Sequence, residues 1–193
     1  MRKDLGVGPL LYPMPVLMIA TYNDDNTVDV MNMAWGGICA GDKVALNIGE
    51  AHKTSANIAK RKAFTISVAD ADHIAEADFF GIASGNKMAD KFERTGLTAT
   101  KSTRVDAPIV EEFPVTLECE VVIDDTDSGW HRVIGKIVNV TAHEEVIGEN
   151  GKIDPTKVNA FVFDQFRNGY YAIGEKLGDA WGVGKPLMNG DEE

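Results

Sequence analysis

Alternation of apolar and polar residues is clearest in two stretches. In Lys43–Gly49, Val44, Leu46 and Ile48 fall on one face and Lys43, Ala45 and Asn47 on the other. In Val115–Ile123, Val115, Leu117, Cys119, Val121 and Ile123 share a face. A period of two is that of a strand with one face buried. Asp124–Gly129 reads as a turn, and His131–Thr141 as the hairpin partner of the second stretch. Upstream, Val16–Tyr22 is a short apolar run closed by the turn residues Asn23-Asp24-Asp25-Asn26. Thr27–Ala40 reads as one or two further strands broken at Gly36-Gly37, and Ala63–Ala69 adds another.

Helical signals are confined to short segments between strands. Thr54–Lys62 has Thr54 in place as N-cap and Lys60, Arg61 and Lys62 at the negative end of the dipole. Asp72–Ala83 sets Ala75, Phe79 and Ile82 on one face, with Gly85 ending it, and Met88–Thr95 is a third helix ended by Gly96. The aromatic, glycine-rich stretch Phe161–Lys185 shows no single period. Many strands, few short helices and no βαβ alternation predict a mainly β protein, an antiparallel β-barrel with helical insertions. A length of 193 residues fits one domain, 1–193.

Charge narrows the partners. With 30 acidic and 19 basic residues the net charge is −11, which argues against nucleic acid and against an anionic membrane surface. Any anionic ligand needs a local positive site. Cys39 and Cys119 lie in separate apolar segments without CxxC spacing, so both are expected as buried thiols of a protein in the reducing cytoplasm. Met1–Pro15 lacks a sustained apolar core, so no signal peptide is expected, and no apolar run approaches the ~18 residues of a membrane span.

Several common motifs fail on inspection. Gly182-Val183-Gly184-Lys185 resembles the end of a P-loop, but Asp179 replaces the earlier glycine and Pro186 the Ser or Thr. Asp125-Thr126-Asp127-Ser128-Gly129 resembles a calcium loop, but its last ligand position holds Lys136. His143-Glu144-Glu145-Val146 lacks the second histidine of a zinc protease, and no GxGxxG follows a strand. The histidines show no metal spacing, and no nucleophile–base pair stands out. An enzyme of this kind needs a cofactor to carry its chemistry.

One ordered set of residues goes further. Pro13-Met14-Pro15-Val16 precedes a strand, then Asn32-Met33-Ala34-Trp35, then His52-Lys53-Thr54 with Asn57-Ile58, Phe64 and Ser67-Val68. Asp90-Lys91-Phe92-Glu93-Arg94-Thr95-Gly96-Leu97-Thr98, Ala107-Pro108-Ile109, Leu117–Val121 and His131 follow. In this order the set resembles the flavin reductase-like, FMN-binding split-barrel family, and within it the flavoredoxin group, over about residues 9–185. The resemblance implies a Greek-key split barrel that forms a homodimer, with FMN near each end of the subunit interface. It implies a tail, from about residue 164, packed on the barrel or on the partner subunit. It also implies an oxidoreductase. Members accept a hydride from NADH or NADPH at flavin N5, or relay electrons as carriers, and some serve a partner oxygenase or redox protein. A non-enzymatic barrel holding flavin or haem is the alternative from another class. Hydride transfer between stacked rings needs alignment and little proton chemistry, so no side chain is assigned as an acid–base catalyst.

Each candidate residue has a functional and a plain reading. His52, Lys53 and Thr54 enter a helix whose first N–H groups favour an anion, which the resemblance makes the FMN phosphate; the plain reading is an N-cap beside a surface lysine. Lys87, Lys91 and Arg94 would share one helical face, either solvated or, through Lys91 and less so Lys87, in contact with the phosphate. The resemblance sets Asn32, Met33, Ala34 and Trp35 against the flavin, with Trp35 as a core aromatic otherwise. Asn47, on the less apolar face of its strand, is a flavin contact or a surface amide. His131 is a flavin or nicotinamide neighbour or an exposed strand-end histidine, and Phe163 covers the flavin or fills the core.

Overall fold

The computed structural model describes residues 1–188. Its elements are, in order, β1 (Met14–Pro15), β2 (Leu17–Tyr22), β3 (Val28–Met33), β4 (Gly36–Ala40), β5 (Lys43–Gly49), α1 (Lys53–Arg61), β6 (Ala63–Val68) and α2 (Ile74–Ile82). They continue with β7 (Ala99–Lys101), β8 (Pro108–Val110), β9 (Val115–Asp127), β10 (Trp130–Ala142), α3 (Pro155–Val158), β11 (Phe161–Asp164) and β12 (Gly169–Ala172). Every strand pairing is antiparallel.

Seven strands form one sheet in the order β3-β2-β6-β9-β10-β5-β4. Its two edge strands, β3 and β4, are consecutive in the chain and joined only by Ala34 and Trp35. A flat sheet of seven strands would part them by about 29 Å. The short link spans at most about 11 Å. The sheet therefore curls until its edges meet at Ala34–Trp35, where the Asn47 N–H donates to the Trp35 carbonyl at 2.9 Å. No ladder joins β3 to β4, so the barrel is split.

Alternation along β2 fills both sides of the barrel wall. Ile19 enters the interior with Met31, Leu46, Ile48, Phe64, Ile66, Cys119 and Val133. Met18 and Ala20 face outward into a second core with Val30, Phe80, Phe92, Phe113 and Phe161. That outer layer is built by α2 with its following loop, the β7–β8 pair with Phe113 after it, and the small β1-β11-β12 sheet.

Five expectations change. The β9–β10 hairpin runs on to Asp127 and turns only at Ser128-Gly129, whose φ values of 53° and 83° make the tight turn that matches strand twist. A bulge at Val122, between the pairs Ile123↔Ile134 and Val121↔Gly135, shifts the alternation, so Ile123 faces outward. On α2 the buried pair is Ala77 and Phe80, not Ala75, Phe79 and Ile82, because Phe80 stacks on Phe92. Met88–Thr95 forms turns and one 3-10 turn (Glu93–Thr95) rather than a helix, since burying both Lys91 and Phe92 breaks the helical face. Finally, Cys39 is exposed on β4 and only Cys119 is buried.

Beyond β12 the chain leaves its own core. Ile173, Leu177, Trp181, Val183 and Leu187 are all exposed, Trp181 at 94%. No described helix is long and apolar enough to cross a membrane.

Candidate functional site

The curl that joins β3 to β4 opens a cavity of about 370 Å³ beside the seam. That is room for a small-molecule ligand. One wall is β3 and its corner, with Asp29, Met31, Asn32, Met33 and Trp35; a second is β5, with Asn47, Ile48 and Gly49. The start of α1, His52-Lys53-Thr54, forms the third, and the end of α2 with Gly81–Gly85 the fourth. Trp130, beside the hairpin turn, stands at the rim.

The helix wall is the polar end. His52 occupies the N-cap position, yet no side chain caps α1 and its first turn holds no acidic residue. The first N–H groups of a helix have no intrahelical acceptor, so this end offers donors and a partial positive charge. Lys53 adds a full charge. Thr54 does not cap; its hydroxyl donates instead to Asp29 Oδ2 at 2.6 Å. Gly85 closes over this corner, and a Cβ built there would stand 2.4 Å from Asp29 Oδ1 and 3.1 Å from Lys53 Cβ.

The wall at the β3 corner is apolar and aromatic. Trp35 is 42% exposed and lines the cavity, so it is not a core aromatic. Met33 and Ile48 lie beside it, while Ala34 is buried in the corner and does not line the space. Asn32 is pinned, its amide donating to the Ala77 carbonyl at 2.9 Å. Behind it Tyr170 donates to Asp78 at 2.9 Å; burial, with that acidic acceptor, pushes its hydroxyl up to about 12. Asn47 projects from the exposed face of β5 into the cavity.

Other candidates sit outside the lining. Lys87 is exposed on the loop after α2. Lys91 is 4% exposed, with its ammonium 5.7 Å from the Phe80 ring centre, and Phe80 is itself a lining residue. Burial pushes its pKa down, and the nearby Asp29 carboxylate pulls it back up. Phe163 packs against Tyr170 in the outer core.

His131 is no exposed strand end. It is 2% exposed, with Nδ1 2.6 Å from Ser55 Oγ and Nε2 2.6 Å from Asp124 Oδ1. The carboxylate can only accept, so Nε2 carries a proton toward Asp124, and Nδ1 shares a hydrogen bond with the Ser55 hydroxyl. An ion pair with Lys62, helped by the His131 N–H, holds Asp124 below the usual carboxylate range. The three side chains have the order of a hydrolase triad, but Ser55 is buried and does not line this cavity. The trio ties α1 to the hairpin.

The model of the flavin reductase like domain matches residues 10–167. The chain belongs to this family. The flavoredoxin of Desulfovibrio vulgaris (Miyazaki F) is 35% identical, with a TM-score of 0.90 over 95% of this chain and all of that one. A flavoredoxin from Methanosarcina acetivorans is 22% identical with a TM-score of 0.87, covering 97% of this chain and 100% of its own. An FMN-binding protein from Thermus thermophilus is 18% identical with a TM-score of 0.76, covering 93% and 100%. At the two lower identities the likeness is one of fold.

Within this flavin reductase-like barrel, the cavity gathers Asn32, Met33, Trp35, Asn47, His52, Lys53 and Thr54 from the sequence candidates and leaves out Ala34, Lys87, Lys91, His131 and Phe163. It adds Asp29, Gly81–Gly85 and Trp130, which the sequence reading missed. The run Gly81-Ile82-Ala83-Ser84-Gly85, mostly small residues at a helix end, was the available signal for a close approach.

Proposed function

We propose that this chain binds FMN in the cavity beside the barrel seam and is an NAD(P)H-dependent flavin reductase. The observation that carries the reading is a cavity lined both by the uncapped start of α1 with Lys53 and by the exposed Trp35. These two parts of the lining suit an anionic phosphate and a flat aromatic ring, respectively. Lys53 and the first N–H groups of α1 would hold the phosphate, Asn32 and Asn47 the polar edges, and Trp35 with Met33 the ring. Bound FMN would supply the redox chemistry, taking a hydride from NADH or NADPH. The chain's own part is to bind, align and exclude water.

The 35% identity to a flavoredoxin favours a second reading, in which the chain holds FMN tightly and passes electrons to a redox protein. The absorption spectrum of the purified protein, before and after anaerobic NADH or NADPH, decides between them. Bleaching of the flavin bands within turnover time supports the reductase. A yellow protein that neither nucleotide bleaches but dithionite does is the carrier. A protein that quenches no FMN fluorescence at micromolar flavin is neither.

The same reading makes the protein a homodimer. The outward apolar residues Ile38, Val122, Ile123 and Val140 and the tail from Ile173 need a cover, and a second copy provides it. Light scattering at micromolar concentration should give twice 20.9 kDa. A cytoplasmic location follows from the same proposal and fits two cysteines that are both free.

A further inference from the structure

The wall that suits a phosphate also contains a carboxylate. Asp29 is 3% exposed and lines the cavity beside Lys53 and Thr54. Its Oδ2 takes the Thr54 hydroxyl proton. Among the described residues no side-chain hydrogen bond to its Oδ1 is found; the buried Lys91 ammonium stands close enough for the two charges to interact, without forming a direct ion pair. Gly85 passes so close to Oδ1 that no other residue would fit there without displacement, so the carboxylate stays in the wall.

This arrangement acts on an incoming anion in two ways. It spends the Thr54 hydroxyl on Asp29, so that this hydroxyl has no proton left to offer a phosphate. It also puts a like charge beside the helix start, in a buried setting where charges are weakly screened. Neither effect touches a ligand without the phosphate. The free Oδ1 is instead an acceptor for a neutral hydroxyl donor, such as those of a ribityl chain.

Resting on the FMN reading above, we propose that Asp29 is a specificity-determining residue that narrows the preference for phosphorylated over unphosphorylated flavin. Lys53 and the start of α1 attract the phosphate; Asp29 sets how strongly the site discriminates. The chain thereby keeps riboflavin affinity closer to that for FMN than a site of positive groups alone would.

The test is flavin fluorescence quenching with FMN and with riboflavin, in the parent, Asp29→Asn and Asp29→Ser. Asparagine keeps the shape, can still accept from Thr54, and turns an amide donor toward the cavity. The ratio of FMN to riboflavin affinity should rise on the order of tenfold in Asp29→Asn, with a smaller rise in Asp29→Ser. Added salt should reduce that gain. If the parent binds both flavins and the ratio is unchanged or lower in whichever variant folds, Asp29 does not set specificity. If the parent binds neither flavin, the FMN reading itself is overturned.

Discussion

Thr54 and Ser55 are neighbours on α1, both buried, and both hydroxyls are hydrogen-bonded to a side chain on another element. About 100° of helix rotation separates them. Thr54 meets Asp29 on β3, in the cavity wall; Ser55 meets His131 on β10, away from it. One contact shapes what the site binds, and the other holds the helix that carries the site. The pair shows how a single turn of helix can divide function from support between adjacent residues. It also explains why His131 falls in the family pattern without lining the cavity.

The sharpest way to break the comparison is on the supporting side. His131→Ala leaves the Ser55 hydroxyl and the Asp124 carboxylate without their buried partner, and should cost about 3 kcal/mol in urea unfolding. FMN and riboflavin affinities should fall together, because the helix moves as a whole. The acid limb should change as well. The Asp124 carboxyl is held below its ordinary 3.8, so its stabilisation is complete above that value and is lost as pH falls through the lowered folded value. In His131→Ala part of this limb should vanish from the pH profile of unfolding.

On the binding side, Lys53→Ala should weaken FMN by tenfold or more, about 1.4 kcal/mol, and leave riboflavin within about twofold. Equal losses for both flavins would move the phosphate away from α1. Trp35→Ala should weaken both flavins by a few fold, under about 1.4 kcal/mol, and shift the bound flavin spectrum. An unchanged spectrum would assign the ring to another part of the cavity. The smallest effect concerns the thiols. Burial and the neighbouring Glu118 push the Cys119 thiol up to about 12, while Cys39 is exposed. A thiol reagent at pH 8 should titrate one cysteine in the native protein and two after unfolding, with no change in flavin affinity.

Strand alternation made the barrel legible, since β5 and the β9–β10 hairpin follow from period two alone. The bulge at Val122 did not follow, because an inserted residue reads as continued apolar sequence. The candidate site was legible where chemistry is carried by residue type, as at Lys53, Asn32 and Trp35. It was illegible where position alone matters. Asp29 is one of many acids in a chain of charge −11 and acquires meaning only from Thr54 and the cavity. Lys91 looked like part of a charged helical face, and only its place over the Phe80 ring shows that it is buried.

The stretch Ala34–Trp35 is the clasp of the barrel as well as a side of its cavity. Prising the two sheet edges apart would dismantle the ring-facing wall at the same moment, so an occupied cavity would resist that opening. Ligand should therefore slow amide hydrogen exchange most at Asn47, whose N–H fastens the clasp to the Trp35 carbonyl, and much less at the far tip of the β9–β10 hairpin. On the FMN reading, a bound cofactor would act as a pin across the seam, and its removal should let the two sheet edges part more readily.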